Sequence, residues 1–145
     1  MENLGYMSYD VTLSGATGAT KNRFVMPVDL RPAFQGQGKF VIYSNITKKT
    51  LTIIDENSFI KLCKSKGVKS EQRGSFNARE YDPKDDAQAR GSFSTSQMEL
   101  LGNPEYVIFT AQDSYITVQN PKTVNYNTEN WETQDVDDLI DDGGI

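Results

Sequence analysis

Lys39-Phe40-Val41-Ile42-Tyr43 returns 66 residues later as Glu105-Tyr106-Val107-Ile108-Phe109, and Leu51-Thr52-Ile53 returns 65 residues later as Ile116-Thr117-Val118. Upstream, Arg23 followed by Phe24-Val25-Met26 matches Arg90 followed by Gly91-Ser92-Phe93 at an offset of 67. A near-constant offset is weighed before any single element, because a repeat sets the architecture. Each unit then holds a strand, a basic residue at a turn, a second strand, a short helical piece and two more strands. Two such units pack as one pseudo-symmetric, mostly β (α+β) body.

The flanking sequence supplies the punctuation. Apolar alternation predicts strands at Tyr9 to Leu13, Phe24 to Met26, Lys39 to Tyr43, Leu51 to Ile54, Tyr106 to Thr110 and Tyr115 to Gln119. The breaker clusters Gly15-Ala16-Thr17-Gly18 and Gln35-Gly36-Gln37-Gly38 separate the first of these. A helix is predicted over Asp55 to Lys66, with Asp55 as cap, Phe59, Leu62 and Cys63 on one face, and Gly67 as the stop. Ser94 with Gln97 three residues on makes a capping box for a second helix over Thr95 to Leu101, closed by Gly102. Gly36-Gln37-Gly38-Lys39 is a turn rather than a phosphate loop, since Ala33 and Phe40 occupy the positions such a loop needs.

Composition excludes several chemistries. The 145 residues contain no histidine and one cysteine, Cys63. No Ser/His/Asp or Cys/His nucleophilic site, Cys/His zinc cage or disulfide framework can be built within one chain. Cys63 is expected to be a buried, inert thiol. Glu80, Asp82, Asp85 and Asp86 lack the spacing of a calcium loop and are interleaved with Arg79 and Lys84, so a solvated turn is expected rather than a metal site. No convergent acid, base and nucleophile can be named, so the chain is read as neither an enzyme nor a cofactor binder. Met1 to Tyr9 lacks a basic start and an apolar stretch, and no membrane association is expected. The chain is placed in the cytoplasm.

The net charge of −5 is unevenly spread. Residues 21–90 carry fourteen bases and eight acids, whereas residues 91–145 carry one base and ten acids. Five of those acids and no base lie in residues 135–145, which read as the core of a flexible acidic tail over 133–145. A positive middle can hold a polyanion although the whole chain is acidic, because binding follows the local field.

The repeat resembles the MraZ family of bacterial transcriptional regulators, related to the AbrB class. Its motif is Asp-x-x-x-Arg leading into a strand, a Pro and a short helix, once per unit. The second copy is intact as Asp86-Ala87-Gln88-Ala89-Arg90, with Ser94 at the Pro position; the first keeps Arg23, Met26-Pro27 and Leu30-Arg31 but has Ala19 in place of Asp. The Gly that precedes the Arg in the family is missing here. Arg73-Gly74-Ser75-Phe76-Asn77-Ala78 is similar to the family's lead into the second unit, and Trp131 to its late Trp. The resemblance implies two tandem swapped-hairpin units, 6–67 and 68–132. It also implies ring-like homo-oligomers that meet repeated boxes in duplex DNA, each chain binding feebly and the ring by tethering.

An Asp four residues before an Arg can hold the guanidinium in a fixed fork suited to phosphate or a guanine edge. Arg90 with Asp86 is such a pair, and Arg23 lacks it. Lys21 and Lys84 are expected to add phosphate contacts, and Lys48 and Lys49 to do the same or to guard a strand edge. Two other classes fit the same residues. One is a structural assembly protein, such as a virion component, without nucleic acid. The other is a single-strand binder whose acidic tail recruits a protein partner, with Tyr6, Tyr9, Phe24, Phe40 and Tyr43 stacking on bases. At strand spacing such aromatics are more often core.

Overall fold

The computed structural model describes residues 3–15, 21–65, 67 and 77–123. Ala19, Arg73 to Phe76, Trp131 and the acidic tail lie outside them. In chain order come β1 (Ser8–Thr12), β2 (Arg23–Phe24), a 3-10 segment (Val28–Ala33), β3 (Phe40–Asn45), β4 (Thr50–Asp55) and α1 (Glu56–Ser65). Then follow β5 (Arg79–Tyr81), β6 (Gly91–Ser92), α2 (Thr95–Leu101), β7 (Tyr106–Ala111), β8 (Ile116–Gln119) and a 3-10 turn (Pro121–Thr123). Among the described residues, no helix is long and apolar enough to cross a membrane.

Six strands form one antiparallel sheet in the order β1-β7-β8-β4-β3-β5. From either edge the order is a lone strand, a hairpin, a second hairpin and a lone strand. Both predicted halves therefore contribute to a single sheet. The short strands β2 and β6 pair separately as a two-stranded ribbon.

Side-chain alternation gives the sheet two buried faces. Phe40, Ile42, Leu51, Ile53, Phe109 and Val118 face the main core, which the ribbon, the first 3-10 segment and α2 cover through Phe24, Leu30, Phe34, Phe93 and Met98. Val41, Tyr43 and Ile54 face the other way and pack with Phe59 and Cys63 of α1. The buried Cys63 and the cap, where Asp55 Oδ2 accepts from Ser58 N at 2.9 Å, match the sequence expectation. Both halves of the Ser94–Gln97 box form, and Gly102 ends α2 at φ 86°. The buried Gln97 also donates from Nε2 to the carbonyls of Ile42 and Asn77, which ties α2 to the sheet.

The registers correct one of the sequence offsets. At 66, Ile42 would match Ile108 and Phe40 would match Tyr106; yet Phe40 and Ile42 lie in the main core, while Tyr106, on the opposite face, is 42% exposed. The offset that preserves facing is 67 for β3 and β7, matching Phe40 to Val107 and Ile42 to Phe109. For β4 and β8 it remains 65, matching Leu51 to Ile116 and Ile53 to Val118. A one-residue slip turns every side chain of a strand to the other face. Runs of four apolar residues align well enough in either register, so sequence similarity alone chose the wrong one.

Candidate nucleic-acid interface

The ribbon brings the two repeat arginines together. Its register pairs Arg23 with Ser92 and Phe24 with Gly91. Phe24 is buried on the inner face, while Arg23 and the 40%-exposed Val25 lie on the outer one. The same alternation puts Ser92 and the exposed Arg90 outward. Arg23 and Arg90, 67 residues apart in the chain, thus come to one face, Arg23 within the paired residues and Arg90 immediately before them.

The two arginines are held differently. Asp86 Oδ2 accepts from both the Arg90 backbone N (3.1 Å) and Nε (2.9 Å), and Asp86 Oδ1 accepts from Gln88 N (3.0 Å). One carboxylate therefore fixes both the turn and the guanidinium at its end. The turn is pinned from outside as well. Gln35 Nε2 donates to the Asp86 carbonyl at 2.8 Å, Gly36 N to the Lys84 carbonyl at 3.3 Å, and the buried Tyr81 hydroxyl to the Ala89 carbonyl. Burial, with the Asp86 charge nearby, pushes the Tyr81 hydroxyl up, so it remains a donor throughout the ordinary pH range. Arg23 is exposed and pairs with no carboxylate among the described residues.

Removing the Tyr81 hydroxyl leaves a buried carbonyl without its partner. Tyr81→Phe is expected to cost about 1–3 kcal/mol in chemical denaturation, with its aromatic packing against Phe24 and Phe34 retained.

The hydrogen bond from Arg90 holds the Asp86 carboxyl below the usual carboxylate range. A depressed folded-state pKa stabilises fully above the unfolded value, and the contribution is lost as pH falls through the folded one. With no histidine in the chain, the pair and any binding it supports should be flat between about pH 5 and about pH 8. Fluorescence anisotropy of labelled DNA across that range checks this; a transition near neutrality would show that another group governs the site.

The lysines are dispersed. Lys21, two residues before Arg23, lies 4.0 Å from Glu105 with both side chains largely exposed. Lys84 is exposed in the Asp86 turn. Lys48 and the exposed Lys49 occupy the β3–β4 turn, at the end of β3 away from the Phe40–Tyr81 pair, and Lys49 adopts a φ of 56°. Of the aromatics considered for stacking, Phe24, Phe40 and Tyr43 are buried and Tyr9 is half-buried, while Tyr6 is 74% exposed. Of these five, Tyr6 alone is largely exposed, and it lies outside the strands. Among the described residues, no group of acidic or cysteine side chains is placed to hold a metal ion.

Two structural features of the ribbon escaped the sequence reading. Gly91 faces Phe24 so closely that a Cβ would sit 2.5 Å from the ring. Arg79, at the start of the edge strand β5, donates from Nη2 to Ser92 Oγ at 3.0 Å. Neither β5 nor β6 is long enough to announce itself. Among known proteins, no family model and no curated sequence matches the chain.

Proposed function

We propose that the chain is a DNA-binding regulator of MraZ-like architecture, acting as an oligomer, with the outer face of the β2–β6 ribbon as its nucleic-acid surface. The observation that carries this reading is the convergence of Arg23 and Arg90 on one exposed ribbon face. A two-stranded ribbon fits the major groove, and guanidinium groups on it can meet phosphates or guanine edges. Two details support the swapped-hairpin form. The first strand of each half pairs with the hairpin of the other, β1 with β7 and β5 with β3. Ala89 holds a φ of 47°, a left-handed conformation at the position where the resembled motif has Gly.

The test compares duplex DNA carrying repeated boxes with its separated strands in a gel-shift titration, alongside mass in solution with and without DNA. A duplex shift by an oligomer is expected. Preference for single strands, or no shift by either, overturns the reading.

One observation favours the structural-assembly alternative. Tyr6 and Met7, 74% and 63% exposed, precede β1, which among the described residues is an edge strand with no partner on its outer side. An open edge with apolar flanks is a template for pairing with another chain. Salt-insensitive oligomers that shift no DNA would select that alternative.

A further inference from the structure

We infer that Arg79 is a third guanidinium of this face, held by Ser92 beside Arg23 to contact the phosphodiester backbone of DNA. The inference rests on the ribbon being the nucleic-acid surface and adds a residue and a division of labour to it. Ser92 is the register partner of Arg23, so their Cβ atoms lie about 5 Å apart on the outer face. Arg79 reaches the same hydroxyl from the edge strand, with Nη2 at 3.0 Å from Ser92 Oγ. Arg79 and Arg23 are therefore both neighbours of one serine, the first through its guanidinium and the second through strand register, and neither is paired with a carboxylate among the described residues. Two cationic side chains beside one hydroxyl favour an anion there. Arg79 uses one of its five N–H donors on Ser92, leaving a fixed fork with donors to spare.

The arrangement is one-sided. Arg79 stands opposite Ile42 on β3, and the facing-preserving match of Ile42 is Phe109, whose partner on β1 is Tyr9. The other edge strand thus has no basic residue at the corresponding place. Arg79 thus stands on the side of the arginine that lacks the motif Asp. Arg23 and Arg79 then act as a phosphate clamp, while Asp86 orients Arg90.

The experiment titrates a labelled mixed-sequence DNA duplex against wild type, Arg79→Ala, Arg79→Lys, Ser92→Ala and Arg23→Ala over a range of salt. Denaturation midpoints confirm that each variant folds. Arg79→Ala is expected to flatten the slope of log K against log salt by about 0.9 and to weaken binding roughly tenfold near 0.1 M salt. Arg79→Lys and Ser92→Ala should keep the slope and lose affinity, because charge remains while the held fork is gone. If Arg79→Ala leaves affinity and slope unchanged while Arg23→Ala reduces both, the role of Arg79 is refuted and the ribbon surface stands. If wild type shows no salt-dependent duplex binding, the surface and the clamp fall together.

Discussion

Gly91→Ala is expected to lower the unfolding free energy toward the upper end of the roughly 1–3 kcal/mol range typical of overpacked cores, and Gly91→Val by more. An added Cβ would lie 2.5 Å and 2.9 Å from Cζ and Cε1 of Phe24 and 2.9 Å from Cε1 of Tyr81. The Phe24 ring has no room to yield. It stacks on Phe93 at a centroid distance of 4.9 Å and meets Phe109 and Tyr81 edge-on at 5.2 Å and 5.6 Å. Any displacement passes into the sheet behind it and into the outward Arg23 and Ser92 on either side. A well-chosen control is Gly38→Ala, which meets nothing within 4 Å and should stay within about 0.5 kcal/mol of wild type. Urea denaturation of wild type and the three variants decides the matter: equal midpoints would mean that the ribbon does not sit against the aromatic core as described. Trimming the ring in a Gly91→Ala/Phe24→Leu double variant should recover part of the loss.

The second large effect falls on binding rather than on folding. Arg23 and Arg90 are exposed and carry no core packing, so Arg23→Ala/Arg90→Ala should leave the denaturation midpoint nearly unchanged. Each lost phosphate contact removes about 0.9 from the salt slope, which near 0.1 M salt is roughly a factor of eight. Losing both therefore weakens duplex binding on the order of 100-fold per chain, more where an oligomer multiplies the contacts. Asp86→Asn separates charge from orientation. Arg90 keeps its charge but loses its carboxylate, so affinity should fall less than in Arg90→Ala while discrimination between duplex sequences falls as well. Anisotropy titrations against specific and mixed-sequence duplexes read both quantities. An unchanged affinity in the double variant would remove the ribbon from consideration as a binding face.

The parts of this molecule legible in its sequence are those whose signals are local. The Ser94–Gln97 box and Gly102 mark both ends of α2, and Asp55, Phe59 and Cys63 define α1, because caps and helical periodicity act within one or two turns. The hairpins built from β3, β4, β7 and β8 are legible for the same reason. The Asp86–Arg90 pair can be read from its i, i+4 spacing. What escaped is long-range. β5 is three residues of which two are charged, and β6 is two residues, Gly91 and Ser92; both are strands only because neighbours pair with them. Arg79 gains its place from a serine thirteen positions away across a turn, which no spacing rule anticipates. The strand register depends on which face is buried, and alternating apolar residues on two covered faces conceal that choice.

Convergence of Arg23 and Arg90 on a polyanion is tested most directly by the salt dependence of duplex binding by the wild-type chain. Two phosphate contacts per chain require log K to fall against log salt with a slope of about −1.8 or steeper. A slope near zero, or no measurable binding at low salt, would contradict it.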